Sequence, residues 1–258
     1  MNRTMTVGLF VGAVFGLIAF AANQGADRAA SSARTPVLLE LFTSEGCSDC
    51  PPADRLLESF DKKQPVNGAQ LIVLSEHVDY WNHLGWKDPY SLHLFSERQE
   101  TYASRLHVGD VYTPQLVVDG QAQLVGSDES AARAAIRKAI QRTKVPVSIS
   151  GVSKDGSTVR LHVDVGALPV NSGSVYVALA DNDDLSQVSR GENAGHALTH
   201  VAVARSLTCV GESGRDRAFS KDLTLPLGTA GVKGVRVIGF VQDKDSGAVL
   251  GAAQIFLD

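Results

Sequence analysis

Cysteine is scarce in this sequence, with only Cys47, Cys50 and Cys209 among 258 residues. A structural zinc site with four thiolate ligands is therefore excluded within one chain. Two of the three cysteines have Cys-x-x-Cys spacing, which suits closure of a small disulfide ring. The third lies in the apolar run Leu207-Thr208-Cys209-Val210, which predicts a buried, inert thiol.

Clusters of positive charge are also missing. The net charge is -4, from 24 Lys and Arg against 28 Asp and Glu, and no basic run occurs. Nucleic-acid binding requires clustered Lys and Arg, so we expect no nucleic-acid partner. With 44% hydrophobic residues, the chain can build real cores, and its length suits two domains.

The N-terminal apolar run, residues 7–22, is short for a membrane span. It follows Arg3 and contains the small-x-small pattern Ala19-Phe20-Ala21 of a signal-peptidase site. We therefore predict a signal peptide over 1–21, a flexible leader over 22–35, and a periplasmic or secreted bacterial protein. The alternative is an uncleaved N-terminal anchor, and only then is membrane contact expected.

Residues 36–143 alternate between buried-strand and helical patterns. The helical crossover between the first two predicted strands implies a parallel pair, and the Asp119-Gly120 turn implies an antiparallel hairpin. The resulting order, β-α-β-α-β-β-α, is that of an α/β thioredoxin-like domain. The strands are predicted at 37–42, 71–74, 115–118 and 123–125, and the helices at 47–60, 91–106 and 128–141.

Residues 144–258 have a different texture, with short strand-like runs separated by Gly, Asn, Asp and Ser. No helical pattern of comparable strength occurs there. This predicts an all-β, sandwich-like C-terminal domain. The predicted strands are 145–152, 158–165, 174–180, 198–210, 219–227, 235–242 and 249–257.

The strand-turn-helix pattern predicts that Cys47 lies at a helix N-terminus, with its sulfur exposed and its pKa lowered. Cys50 follows one turn later in the same helix. We therefore predict Cys47 as the nucleophile and Cys50 as the resolving thiol, able to form a disulfide. The carboxylates of Glu45 and Asp49 oppose thiolate formation.

A second candidate element is Thr113-Pro114, directly before the third predicted strand. Thioredoxin-like proteins carry a cis proline here, facing the cysteine pair and leaving backbone groups free for an extended substrate. We predict Pro114 as part of the catalytic site and Thr113 as substrate-binding. A proline that opens a strand is common in any fold, so this signal is weak by itself.

The stretch HVDYWNHLGW, which begins at His77, leaves the second predicted strand at the same edge as the cysteine pair. We predict that His77, Asp79, Tyr80 and Trp81 form a substrate-facing wall, and that His77 or Asp79 moves protons during thiol exchange. The alternative is a long loop packed by its own aromatic side chains.

Four stretches resemble the bacterial domain-of-unknown-function family 1223, whose members are mostly exported. They are VLLELFTSEGCSDCPPADRLL (37–57), HVDYWNHLGWKDPY (77–90), VYTPQLVVDG (111–120) and RGENAGHALTHVAVAR (190–205). The resemblance implies a thioredoxin-like domain followed by a β-rich one. It implies no settled activity.

The last of these stretches contains Glu192, Asn193 and His196. One interpretation is that one of these side chains reaches across to the cysteine edge of the first domain. The other is an ordered turn between two strands, which we favour.

Three functions remain open. The leading one is a thiol-disulfide oxidoreductase without a cofactor, acting on protein or small-molecule thiols and disulfides. The second is Cu(I) handling by Cys47, Cys50 and His77, since soft thiolates select such metals. The third is a non-catalytic binding module with a structural disulfide. The direction of electron flow, the substrate and the oligomeric state stay open.

Overall fold

The computed structural model describes Met1, residues 34–228 and residues 234–257. Apart from Met1, the predicted signal peptide and the leader up to residue 33 lie outside these residues. Residues 34–258 form one compact unit. Within the described ranges, no helix is both long enough and apolar enough to cross a membrane.

The first half of this unit has the predicted order of strands and helices. β1 pairs in parallel with β2 and antiparallel with β3, and β3 pairs antiparallel with β4. Asp119 and Gly120 turn this last hairpin with positive φ values of 50° and 63°, as a tight turn of this kind requires. The elements are β1 (Thr35–Thr43), α1 (Pro51–Lys63), β2 (Ala69–His77), a 3-10 helix (Asn82–Leu84), α2 (His93–Arg105), β3 (Gln115–Val118), β4 (Ala122–Val125) and α3 (Glu129–Ala139).

Helix α1 begins later than predicted. It starts at Pro51, with Cys50 as the N-cap residue and prolines at its first two positions, where their missing N–H groups leave no hydrogen bond unmade. Cys47 therefore lies in a turn before the helix, where its carbonyl accepts from the Cys50 N–H at 3.2 Å. The prediction that Cys47 opens the helix is wrong.

The second half contains seven strands at the predicted positions, but they do not form a separate sandwich. Four of them extend the first sheet, because β8 lies beside β2 in parallel at Ser75 and Val203. The large sheet has the order β11-β10-β7-β8-β2-β1-β3-β4, and β5, β6 and β9 form a second sheet. The strands are β5 (Val147–Asp155), β6 (Thr158–Val165), β7 (Ser172–Gln187), β8 (Ala197–Gly214), β9 (Phe219–Pro226), β10 (Val235–Asp243) and β11 (Val249–Leu257).

Two hydrophobic cores hold this arrangement together. One lies where the small sheet packs on the large one, with Val163, Val177 and Val237 fully buried. The other takes side chains from both halves of the chain, including Leu71 and Phe240. Each such side chain contributes roughly 1.5–3 kcal/mol on burial. The large sheet thus continues across the boundary predicted between residues 143 and 144.

A buried charged group ties α2 to both halves of the sheet. The Arg98 guanidinium donates to Glu40 at 2.7 Å, and the Tyr102 hydroxyl donates to the other Glu40 oxygen at 2.6 Å. Gln242 of β10 donates to the same hydroxyl at 2.9 Å. Burial and the neighbouring Glu40 raise the pKa of Glu76 well above its ordinary range. One cation therefore lies beside two buried carboxyl groups, and the raised pKa favours the protonated form of Glu76.

Candidate functional site

Cys47 and Cys50 form a disulfide in the turn between β1 and α1, with their Cα atoms 5.5 Å apart. The predicted pairing is therefore observed. The expected exposure is not, because Cys47 is 1% exposed and Cys50 is fully buried. Ser48 and Asp49, the two residues between them, are exposed. The turn thus exposes its two middle residues while its sulfurs are covered.

The Thr113–Pro114 peptide bond is cis, as the sequence predicts. The surroundings of Gly126 show where Pro114 lies relative to the cysteine turn. A Cβ atom on Gly126 would lie 3.1 Å from the Cβ atoms of both Ala53 and Pro114. Pro114 therefore lies close to the first turn of α1, directly after the disulfide.

Trp81 connects the proline segment to the cysteine turn. Its indole N–H donates to the Thr113 hydroxyl at 2.8 Å, and a Cβ atom on Gly46 would lie 3.1 Å from the Trp81 Cβ. The Tyr80 hydroxyl donates to Gln99 at 3.0 Å and also interacts with the Thr113 side chain, and burial raises its pKa to about 12 although both contacts oppose the shift. Of the predicted wall, Trp81 lies beside the cysteine turn, and both Tyr80 and Trp81 contact Thr113.

Asp79 is held at the start of α2. Its carboxylate accepts from the Ser96 hydroxyl at 2.6 Å and lies 3.1 Å from His93 Nδ1. The hydrogen bond from Ser96, assisted by His93, lowers the pKa of Asp79. These partners belong to α2, so the proton-moving role predicted for His77 or Asp79 gains no geometric support at Asp79.

His77 lies in a buried ion pair. His77 Nδ1 is 2.7 Å from Asp88 Oδ2, and both side chains are fully buried. The same Asp88 oxygen accepts the Glu45 backbone N–H at 2.8 Å. Burial lowers the pKa of His77, but the attraction of Asp88, together with that of Asp54 and Glu45, leaves that pKa raised. Burial raises the pKa of Asp88, but His77 and the N–H groups of Glu45 and Tyr90 together leave it lowered. Both shifts favour the charged forms of the pair. Because His77 is fully buried, the prediction that it faces a substrate is wrong.

His200, from β8, joins this pair to the cysteine turn. Its Nε2 is 3.3 Å from Glu45 Oε1, and its Nδ1 is 3.8 Å from Asp54 Oδ2. The other Glu45 oxygen accepts from the Trp86 indole at 2.7 Å. Asp54 accepts from the Thr43 hydroxyl at 2.9 Å. Burial raises the pKa of Asp54 although two imidazoles nearby oppose the shift.

Five side chains thus form one buried polar cluster behind the disulfide. The rings of His77 and His200 meet edge to face, 4.7 Å between centroids. His77 Nε2 and His200 Nδ1 are buried without a hydrogen-bond partner. Asp54 follows Cys50 by one helical turn, and its backbone N–H donates to the Cys50 carbonyl at 3.1 Å. A set of titratable side chains is therefore attached to the cysteine turn through Glu45 and through the backbone of Asp54. The buried polar cluster consists of Glu45, Asp54, His77, Asp88 and His200.

The turn between β7 and β8 covers the cysteine turn from the other side. The Asn193 amide donates to the carbonyl oxygens of Glu45 and Cys47, both at 2.9 Å. Glu192 accepts the Ser48 backbone N–H at 3.0 Å. The interpretation that we favoured, an ordered turn alone, is therefore wrong: Glu192 and Asn193 reach across, while His196 is exposed.

Cys209 differs from its prediction. It is exposed, with its sulfur 3.7 Å from the Gly211 carbonyl. Thr208 is exposed as well, whereas Val210 is buried. The pairing of β8 with β7 shifts register here, with Tyr176 opposite Cys209 and Val175 opposite Gly211. This irregularity interrupts the alternation of the strand, so the apolar run does not predict which side chain is covered.

The Cu(I) alternative needs Cys47, Cys50 and His77 on one ion. In this structure the two sulfurs are bonded to each other. Over residues 34–228 and 234–257, no three His, Cys, Asp or Glu side chains are grouped so that they could hold a metal. The alternative stays a prediction about the reduced protein.

Among known structures, the chain is similar to the crystal structure of a protein from Agrobacterium tumefaciens, with 29% identity, a TM-score of 0.64 and coverage of 86% of this chain and 94% of that one. OgpA of Akkermansia muciniphila matches at 12% identity over 45% of this chain and 29% of its own, with a TM-score of 0.27. A β-glucosidase of Kluyveromyces marxianus matches at 17% identity over 45% and 14%, with a TM-score of 0.26.

No curated protein matches the chain. The model of a protein family of unknown function, DUF1223, matches residues 38–242. The chain therefore belongs to the DUF1223 family.

Proposed function

We propose that this protein is a thioredoxin-like thiol-disulfide oxidoreductase that works in the periplasm or outside the cell. The observation that carries the proposal is the Cys47–Cys50 disulfide in the turn before α1, with the cis Thr113–Pro114 bond close to that helix's first turn. A short Cys-x-x-Cys ring can open and close without moving the rest of the fold. The cis proline leaves backbone groups free for an extended substrate.

The reaction starts from the reduced pair. The Cys47 thiolate attacks a substrate disulfide, forms a mixed disulfide and releases one substrate thiolate. The Cys50 thiolate then attacks the Cys47 sulfur, releases the second substrate thiolate and closes the Cys47–Cys50 bond. Two electrons pass to the substrate, and the two protons of the cysteine pair pass to its two thiolates. A dithiol drives the same steps in reverse and restores the reduced pair.

The buried polar cluster supplies a place for those protons. When the disulfide opens, Cys50 leaves as a thiolate beside Asp54, whose pKa is raised by burial. A protonated carboxyl group can protonate a leaving thiolate, and the raised pKa extends the pH range over which Asp54 is protonated. His200 Nδ1 lies 3.8 Å from the same carboxyl group.

The test is dithiothreitol-driven reduction of insulin, read as turbidity. We expect Cys47→Ser to abolish turnover and Cys50→Ser to accumulate a mixed disulfide that mass spectrometry detects. Cys209→Ser is the matched control, since it removes a thiol outside the site, and should keep full turnover. Unchanged turnover in Cys47→Ser would rule out the proposal.

One observation favours a second function, a non-catalytic binding module with a structural disulfide. Cys47 is 1% exposed, and buried disulfides resist reduction. On this alternative, the Cys47–Cys50 bond would survive prolonged exposure of the native protein to dithiothreitol and to reduced thioredoxin. Reduction within minutes, followed by reoxidation with the fold intact, would favour the oxidoreductase.

A further inference from the structure

We propose that residues 190–195 form a lid over the Cys47–Cys50 disulfide, and that the lid opens before either sulfur reacts. Its role in turnover rests on the proposed oxidoreductase function. The lid itself can be tested without any turnover, because it controls how fast a small reductant reaches the disulfide.

The lid is held on the cysteine turn by hydrogen bonds to the backbone of that turn. Asn193 is 6% exposed, and its one amide group bridges the carbonyl oxygens of Glu45 and Cys47. Glu192 takes the adjoining N–H, that of Ser48. Three backbone groups around the disulfide are thus occupied by side chains from a segment about 145 residues away in the chain.

The lid is attached by polar contacts and has little apolar burial of its own. Of residues 189–197, Asn193 is buried and the others are exposed. Opening therefore breaks a few hydrogen bonds and exposes little apolar surface, which is typical of segments that open locally. The three backbone groups that it leaves can bond to water or to the backbone of a partner.

The base of the lid is closed by its own hydrogen bonds. The Val188 N–H donates to the His196 carbonyl at 3.0 Å, and the Gly195 N–H donates to the Val188 carbonyl at 2.8 Å. Gly191 and Gly195 have φ values of 78° and 84°, which favour glycine. The lid can therefore turn about its base while the pairing of β7 with β8 stays intact.

The lid also fits closely on the stretch that follows β2. A Cβ atom on Gly191 would lie 3.1 Å from the Trp86 Cβ. The Trp86 indole in turn donates to Glu45, in the cysteine turn. The closed position is thus defined by a packed backbone contact in addition to the two side-chain anchors.

The experiment measures reduction of the disulfide by excess dithiothreitol, in a Cys209→Ser background that removes the exposed thiol. The two thiols of the reagent become a cyclic disulfide, and Cys47 and Cys50 become thiols. Quenching with iodoacetamide and intact mass spectrometry count the labelled cysteines with time. The observed rate is the product of the opening equilibrium and the rate of the open form.

Asn193→Ala removes two of the three anchoring hydrogen bonds. We expect the reduction rate to rise about 5- to 50-fold, since one hydrogen bond changes such an equilibrium by roughly 2- to 13-fold. Glu192→Gln should raise it less, about 2- to 5-fold, because the amide oxygen still accepts. His196→Ala, an exposed residue on the same turn, is the matched control and should not change the rate.

Global destabilisation is distinguished by repeating the measurement in low urea, below the unfolding transition. Local opening gives a rate that hardly depends on urea, whereas opening by global unfolding rises steeply with it. An Asn193→Ala rate within twofold of the parent, or a steep urea dependence in both proteins, would overturn the lid. A faster Asn193→Ala that fails to turn over insulin would leave the lid standing and reject the oxidoreductase.

Discussion

The contact between His200 and Glu45 joins the second half of the chain to the cysteine turn, and its energy can be isolated. The perturbation is His200→Phe, which keeps a planar ring in a site where His200 is 3% exposed. The substitution removes the imidazole nitrogen that lies 3.3 Å from Glu45 Oε1, while Glu45 Oε2 still accepts the hydrogen bond from the Trp86 indole. A fully buried carboxylate is then left with half of its hydrogen bonds.

The magnitude follows from that burial. Leaving a buried acceptor oxygen without its hydrogen-bond partner costs roughly 1–3 kcal/mol. Glu45→Gln removes the charge instead, keeps an acceptor for Trp86 and should cost about 1–2 kcal/mol. In the double variant no charge is stranded, so we expect a coupling energy of about 2 kcal/mol.

The assay is urea unfolding of the parent, both single variants and the double variant at one pH. In a thermal scan, His200→Phe should unfold roughly 2–12 °C below the parent, from about 2–4 °C per kcal/mol for a unit of this size. The matched control is His162→Phe, whose Nδ1 lies 2.7 Å from Asp222 on an exposed face, where solvent screening leaves a pair with little effect on stability. Additivity of His200→Phe and Glu45→Gln within about 0.5 kcal/mol would refute the reasoning.

Two further predictions concern the pair behind the disulfide and the contact beside the proline. The pKa of His77 is raised above its ordinary value of 6.5, so the His77–Asp88 pair stabilises the fold fully below that value and loses this contribution as pH rises through the raised pKa. Urea unfolding at pH about 6 and about 9 should show a larger fall in stability for the parent than for His77→Gln, and equal falls would contradict the ion pair. Gly126→Ala should destabilise by roughly 1–3 kcal/mol, since its Cβ would lie 2.7 Å from Leu41 Cδ1. Gly109→Ala, with open space around it, should change the free energy of unfolding by less than about 0.5 kcal/mol, and equal effects at the two glycines would contradict the packing argument.

The sequence predicts the secondary structure of this protein well because each element has a local signal. The apolar runs of β1 and β2 and the alternation Val159-Arg160-Leu161-His162-Val163 of β6 come from the burial of one or both strand faces. Asp119-Gly120 predicts its hairpin because the turn needs two positive φ values. Asp128 caps α3 by accepting the Ala131 N–H at 2.9 Å.

The same local signals do not determine how the strands assemble. The alternating strands of the second half suit a sandwich. In β7, however, the consecutive residues Ala178–Ala180 are all buried. That pattern is typical of a central strand covered on both faces. It explains why β7, β8 and β10 belong to the large sheet, and a count of consecutive buried-type residues would have indicated it.

Three members of the buried polar cluster, Asp54, Asp88 and His200, were not predicted as site residues, and two of them, Asp54 and His200, leave a signal in the sequence. Asp54 lies on the apolar stripe of α1, three residues before Leu57, where a charged side chain is out of place unless it has partners. His200 shares a face of β8 with buried Leu198 and Ala202. A polar residue at a position that the periodicity assigns to the core is therefore the signal for such a cluster. It does not say which partners the residue has, because Glu45 and His200 are 155 positions apart.

The burial of the Cys47 sulfur shows the same limit, because it too depends on residues that are distant in the sequence. A strand-turn-helix pattern fixes the geometry of its own residues, and it leads correctly to a disulfide at the start of α1. In the proposed lid, whether the sulfur meets solvent depends on Asn193, 146 positions away, whose amide donates to the Cys47 carbonyl. If the disulfide were only structural, it would need neither a cover that opens nor titratable side chains in the buried polar cluster. A redox disulfide needs both. A reductant must reach the buried sulfurs, and the thiolates that form must be protonated.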